Sequence, residues 1–283
     1  MRLREALTAA ASRLAEVSDT SRLDAELLAA HLLDIDRNSL LLSYLDAEVP
    51  AGFLTLVDRR MTSEPVAYIL GHRGFWTLDL KVLPGVLIPR PDSETLIEAA
   101  REAFMAHPPR RILDLGCGIG VHSQAIARAF PQAEYHGVDV AAGMLRVGHL
   151  MAEERGVPIH FHQQDAAKTS FEAGSFDLVL SNILFHETNS ARLPQILREC
   201  RRLLRPGGVM LHLDVPTQVS RLGFDDQVMN DWQVRWNGEP FWTGFAERDM
   251  LEEIVAAGFE RQHSFATHVS ALGSTVYVFG ASA

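Results

Sequence analysis

The chain is 283 residues long, about two domains at roughly 150 residues each, and long enough to bury a core without disulfide or metal staples. Its 47% hydrophobic and 22% charged residues exclude a disordered tail protein or a coiled coil. The net charge of −10 argues against a chain-wide electrostatic grip on nucleic acid or on an anionic membrane. Two cysteines, Cys117 and Cys200, lie outside any CxxC or Cys/His cluster with zinc spacing, so no metal and a reduced, cytoplasmic setting are expected. The opening residues hold no long apolar run, which predicts no secretory leader. No stretch approaches the ~20 apolar residues of a membrane span.

Residues 1–65 are predicted to be all helical. Leu3, Leu7 and Leu14 share one face of a first helix. Ser21 with Asp24 reads as a capping box opening a helix with Leu23, Leu27, Leu28 and Leu32 on one side. Pro50 and Gly52 interrupt, and Phe53, Leu56, Val57 and Met61 give a further helical stripe. A supporting bundle over residues 1–70 is expected. Next, Leu78, Leu80 and Val82 alternate with polar residues as in a strand, Pro84-Gly85 marks a turn and Val86–Ile88 reads as a second strand. Residues 71–92 are therefore expected to be a β-hairpin linker.

From residue 93 to the end, strand and helix alternate. Strands are predicted at 111–115, 133–138, 158–163, 176–181 and 209–213, with helices between them. Pro206-Gly207-Gly208 is read as the stop of the helix carrying Leu193 to Leu204. Runs at 259–267 and 274–279, joined by a Ser-Ala-Leu-Gly link, are expected to form an antiparallel pair at the sheet edge. The alternation predicts an α/β fold, a parallel sheet covered by helices on both faces, with an aromatic-rich insertion at about 216–245.

Asp114-Leu-Gly-Cys-Gly-Ile-Gly120 follows the first of these strands and precedes its helix. Glycines there let the backbone turn tightly and let a ligand approach the main chain. The next strand ends in Asp139, about 20 residues on, where a carboxylate grips a ribose diol; Asp165 follows the third strand, placed to meet an adenine edge. Dinucleotide sites favour GxGxxG, whereas here the spacing is GxGxG with an acid two residues before it. That acid suits a sulfonium or amino group better than a pyrophosphate. NAD or no ligand are the alternatives.

The pattern resembles the S-adenosylmethionine loop of class I methyltransferases, as does Leu204-Arg-Pro-Gly-Gly208. A narrower resemblance covers residues 22–182. Glu64-Pro-Val-Ala-Tyr-Ile-Leu-Gly71, Phe75-Trp76 and Val86-Leu-Ile-Pro-Arg-Pro-Asp-Ser-Glu94 are similar to the HemK/PrmC family, protein-(glutamine-N5) methyltransferases that act on peptide-chain release factors. The resemblance implies an N-terminal helical domain, a hairpin linker and a seven-stranded class I domain with its last pair antiparallel. It implies that Asp114, Gly116, Cys117, Gly118, Gly120, Asp139, Asp165, Ala166 and Asn182 line S-adenosylmethionine, with S-adenosylhomocysteine as product.

The family signature Asn-Pro-Pro-Tyr reads Asn182-Ile183-Leu184-Phe185 here, followed by His186-Glu187. Asn182 and Phe185 are kept as candidate catalytic positions, with His186 and Glu187 as a candidate general base. Loss of both prolines removes the fixed φ that aims the main-chain carbonyl. Trp232, Trp236 and Trp242, three of the four tryptophans, read either as a lid over an acceptor or as an extra packed element. Arg90 is a candidate contact for an anionic group. The acceptor is expected to be a release-factor glutamine. The alternatives are a small molecule, or a non-catalytic protein that binds the cofactor; neither nucleic acid nor membrane is an expected partner.

Overall fold

The structure, a computed structural model, describes residues 1–271 and 274–283. Its contacts divide into two units, Met1–Pro89 and Arg90–Ala283.

In the first unit, α1 (Leu3–Leu14) buries Leu3, Ala6, Leu7, Ala10 and Leu14, the three-and-four spacing of one helical face. The second helix, α2 (Ser21–Leu32), buries Ala25, Leu28 and Ala29 together with Asp24 and Glu26. Both acids are paired: Glu26 with Arg22 at 2.6 Å and Arg37 at 2.7 Å, Asp24 with Arg60 at 2.8 Å. Asp24 also accepts from the Ser18 and Thr20 hydroxyls. The expected capping box at Ser21 is thus replaced by a buried ion pair, since the carboxylate turns inward to Arg60. A short turn α3 (Arg37–Ser39) leads to a π-helical stretch at Leu40–Tyr44, and α4 (Phe53–Met61) and α5 (Val66–Leu70) complete the bundle.

The hairpin exists with different strands from those expected. β1 (His72–Phe75) pairs with β2 (Leu78–Lys81), Phe75 opposite Leu78, around a turn at Trp76-Thr77. Phe75, Leu78 and Leu80 share a buried face. Val86 and Leu87 are instead 45% and 82% exposed and pair with no strand. β-branched composition marks a candidate strand, but a partner decides it.

The second unit is a seven-stranded sheet in the order β5-β4-β3-β6-β7-β9-β8. A turn at Pro91–Ser93 leads into α6 (Glu94–Ala103). β3 (Arg111–Leu115), α7 (Val121–Ala129), β4 (Glu134–Asp139), α8 (Ala142–Glu154), β5 (His160–Gln163), β6 (Phe176–Asn182), α9 (Leu193–Leu203) and β7 (Leu204–Asp214) follow, the five strands parallel. After α10 (Phe224–Trp236), α11 (Trp242–Ala246) and α12 (Met250–Ala256), β8 (Ser264–Ala271) and β9 (Ser274–Ser282) run antiparallel. β5 starts two residues later than expected, and β8 starts at Ser264 because a 3-10 turn occupies Arg261–His263. Pro206-Gly207-Gly208 is not a helix stop before a strand. The helix ends at Leu203, and these residues form an irregularity inside β7, where the register shifts between Phe176 and Leu178. Of the expected Ser-Ala-Leu-Gly link, Leu272 and Gly273 lie outside the described residues.

Between β3 and its neighbours β4 and β6 the chain reverses direction across the sheet, the topological switch point where open α/β sheets bind ligands. α9 buries Leu193, Ile196, Leu197, Cys200 and Leu203 against this sheet, each large side chain contributing about 1.5–3 kcal/mol. Among the described residues no helix is long and apolar enough to cross a membrane.

Candidate active site

The switch point carries the glycine loop. Gly116, Gly118 and Gly120 sit at φ +70°, +55° and +71°, the left-handed region open to glycine. At Gly116 a Cβ would also stand 2.6 Å from Leu184 Cδ1, so no side chain fits. The Gly116 and Cys117 N–H groups both donate to the Val138 carbonyl, at 2.8 and 3.0 Å, tying the loop to the end of β4. There Asp139 accepts from Gly118 N–H at 2.9 Å and from Ala141 N–H at 2.8 Å. Each carboxylate oxygen holds one donor and keeps a further lone pair. The adjacent Val140 is 67% exposed, an apolar surface beside the acid that sequence reading passed over. At the end of β5, Asp165 accepts from Ala167 N–H at 2.9 Å and pairs with Arg192 at 3.0 Å, while Ala166 packs against the core.

Asp114, at the end of β3, is buried. Its carboxyl is turned into the core, accepting from Ser123 Oγ at 2.6 Å and Tyr135 OH at 3.3 Å. Burial raises its pKa to about 7; the two hydrogen bonds oppose this and the Asp139 charge adds to it. Burial also pushes the Cys117 thiol up, and its Sγ lies where a side chain on Gly137 would be. His122 is buried, pushed down to about 4 by desolvation, with Nε2 3.2 Å from the Ser93 carbonyl.

The tip of β6 presents Asn182, half-buried, whose Oδ1 is buried and takes no hydrogen bond from the described residues. Ile183 follows at φ +58°, a conformation that crowds a β-branched side chain and that proline cannot adopt. Its N–H donates to the Leu213 carbonyl at 2.8 Å. The next two N–H groups, of Leu184 and Phe185, donate to Asp214 Oδ2 at 3.1 and 2.7 Å. Asp214 Oδ1 accepts from Val215 N–H at 2.8 Å and from His186 Nδ1 at 2.6 Å. Where the resembled motif has two rings without N–H groups, this chain has two N–H groups, both used. Asp214, fully buried at the tip of β7, was missed in the sequence. Its signal there is an acid ending an apolar strand just before Val215-Pro216.

Phe185 is 1% exposed and packs among His212, Phe245 and Phe279, so its ring belongs to the core. Of the three tryptophans only Trp242 reaches the strand tips: its ring lies 4.9 Å from that of His186 and its indole N–H donates to Asn230 at 2.7 Å. Trp232 and Trp236 are 50% and 77% exposed on α10, which buries none of its residues. Arg90 is exposed.

This sheet order, with a glycine loop at the switch point and acids on the neighbouring strand tips, defines a class I methyltransferase fold. An O-methyltransferase family protein from Burkholderia thailandensis superposes with a TM-score of 0.53 at 16% identity over 68% of this chain and 56% of that one. A phospholethanolamine N-methyltransferase 2 of Haemonchus contortus in complex with S-adenosylhomocysteine gives 0.51 at 17% identity, over 66% of this chain and 52% of that one. Residues 5–71 match the PrmC N-terminal domain and residues 112–208 a methyltransferase domain. A release factor glutamine methyltransferase of Haemophilus influenzae is 35% identical over 214 residues, 69% of this chain and 72% of the relative. The corresponding protein of Xylella fastidiosa is 37% identical over 62% of this chain. The chain belongs to the release factor glutamine methyltransferase family. It spans 63% of that Xylella relative and 64% of one from Aliivibrio fischeri, 35% identical over 64% of this chain.

Proposed function

We propose that the chain is an S-adenosylmethionine-dependent methyltransferase acting on the side-chain amide of a glutamine in a peptide-chain release factor, hence in the cytoplasm. The observation that carries this reading is Asn182 Oδ1, buried and without a donor among the described residues. An orphaned carbonyl oxygen costs roughly 1–3 kcal/mol, which a ligand N–H offsets, and an amide NH₂ is such a donor. Family membership and the names of the relatives support the same acceptor.

The residues present fit the cofactor. The left-handed glycines leave the main chain open to close approach, Asp139 retains lone pairs for ribose hydroxyls, and Asp165 and Val140 flank the place of the base. When bound, the cofactor supplies a methyl group already activated on a sulfonium. Asn182 Oδ1 would accept one amide N–H, orient the nitrogen toward that methyl, and draw electron density back onto the nitrogen. Asn182 would leave the second amide proton of the acceptor free to pass to solvent.

A second reading, methylation of a small molecule, is favoured by Ile183, whose left-handed backbone aims its carbonyl differently from a proline at that position. One assay separates them: purified protein with methyl-labelled cofactor, against a release factor and against a metabolite extract. Label in the glutamine is expected, and label only in a small molecule overturns the release-factor reading. Asn182→Ala is expected to cut transfer by about 10²-fold or more. An unchanged rate removes Asn182 from the chemistry.

A further inference from the structure

Four residues past Asn182, the loop carries a second cluster that methyl transfer to an amide does not use. His186 is 3% exposed. Its Nδ1 stands 2.6 Å from Asp214 Oδ1, whose residue is fully buried and already accepts from three backbone N–H groups. A carboxylate only accepts, so Nδ1 carries the proton and the ring is locked in one orientation. The opposite nitrogen, Nε2, faces Glu187 Oε1 at 3.3 Å. Glu239, from the segment between α10 and α11, turns toward the same place. One ligand atom from each of His186, Glu187 and Glu239 lies within 4.8 Å of the other two. Glu239 also accepts from Asn237 at 3.5 Å, and the Trp242 ring covers the imidazole.

We propose that His186 Nε2 and the carboxylates of Glu187 and Glu239 bind a divalent first-row transition-metal ion, with Asp214 as the outer carboxylate that orients the histidine. One nitrogen and two oxygens suit Zn²⁺ or Mn²⁺ better than the all-oxygen preference of Ca²⁺ or Mg²⁺. A carboxylate behind a metal-bound imidazole is the usual means of fixing its tautomer and raising its basicity. Ligand atoms about 2.1 Å from one ion stand roughly 3–3.5 Å apart. Glu187 Oε1 already stands at that distance from His186 Nε2, so it is the half-buried Glu239 that closes, by up to about 1.5 Å. Three protein ligands leave positions for water or an acceptor oxygen. The proposal holds whichever acceptor is methylated.

Calorimetric titration of the chelator-stripped full chain with ZnCl₂ and with MnCl₂, near neutral pH, tests it. One saturable site is expected, and Co²⁺ in its place is expected to give the visible bands of a nitrogen-ligated ion. Glu239→Gln is expected to weaken binding about tenfold or more without moving the thermal midpoint of the metal-free protein, and His186→Gln to remove the site. Because His186→Gln also disturbs Asp214, Glu239→Gln is the deciding variant. The chain has a second group of histidines, His136, His160 and His162, with the His136 ring 5.1 Å from that of His160 and 5.2 Å from that of His162. His160→Ala/His162→Ala is therefore expected to bind like the parent. No saturable heat, an unaffected Glu239→Gln, or loss of binding in the His160/His162 variant each overturns the proposal.

Discussion

At Ile183 the backbone is strained, at φ +58°, a conformation that costs a non-glycine residue about 1–3 kcal/mol. It persists because the three N–H groups after Asn182 are anchored to the tip of β7. Ile183→Pro, which moves the loop toward the family signature, is expected to destabilise the fold by about 2 kcal/mol or more, because the ring cannot take this φ and the bond to Leu213 is lost. Urea unfolding measures it, and an unshifted midpoint would mean the loop refolds around the proline. Asp214→Asn sets an amide NH₂ against groups that themselves donate, at a cost of about 3 kcal/mol; a midpoint equal to the parent's would show that the charge is dispensable. Asn182 was legible in the sequence because it keeps the first position of the resembled Asn-Pro-Pro-Tyr signature at the end of an apolar strand. Asp214 was not, because nothing local tells a buried acceptor of four bonds from a surface acid.

Among the elements, β3, β6 and the second half of β7 were readable, since each is a short apolar run closed by glycine, asparagine or an acid. The errors fall where pairing decides. Val86–Ile88 has strand composition and no partner, whereas His72–Phe75, polar by composition, is held by β2. The aromatic segment splits in the same way. α10 exposes Trp232 and Trp236, and α11 seats Trp242 against His186. Trp232→Ser and Trp236→Ser are therefore expected to change stability by less than about 0.5 kcal/mol. Trp242→Ala, which gives up a ring contact and the bond to Asn230, is expected to cost about 2 kcal/mol. Thermal scans of the three variants check this, and equal shifts would mean that α10 packs more closely than its exposure indicates.

For the whole molecule, buried histidines set the response to acid. Burial holds His212 down to about 3 and His122 and His136 down to about 4, from an ordinary 6.5. Between those values and 6.5 the unfolded chain takes up protons that the fold excludes. Stability therefore falls as pH drops through that window, by up to ~1.4 kcal/mol per pH unit for each histidine. Asp114 works the other way: raised from 3.8 to about 7, it contributes stability that is complete below its unfolded value and lost as pH rises toward 7. Burial holds His162 down as well, whereas His186, against its burial, is held up by the Asp214 carboxylate. Four histidines against one acid and one histidine predict a lower melting temperature at pH 5 than at pH 7, and a flat or inverted profile would contradict the assignment. The carboxylate of Asp214 has a last consequence, for evolution and for engineering. A loop stiffened by proline rings carries its rigidity within its own residues, whereas this one draws it from a neighbouring strand. Homologues can therefore trade this segment only as a matched set with the tip of β7, and a chimera that swaps the loop alone would strand an anion among absent partners.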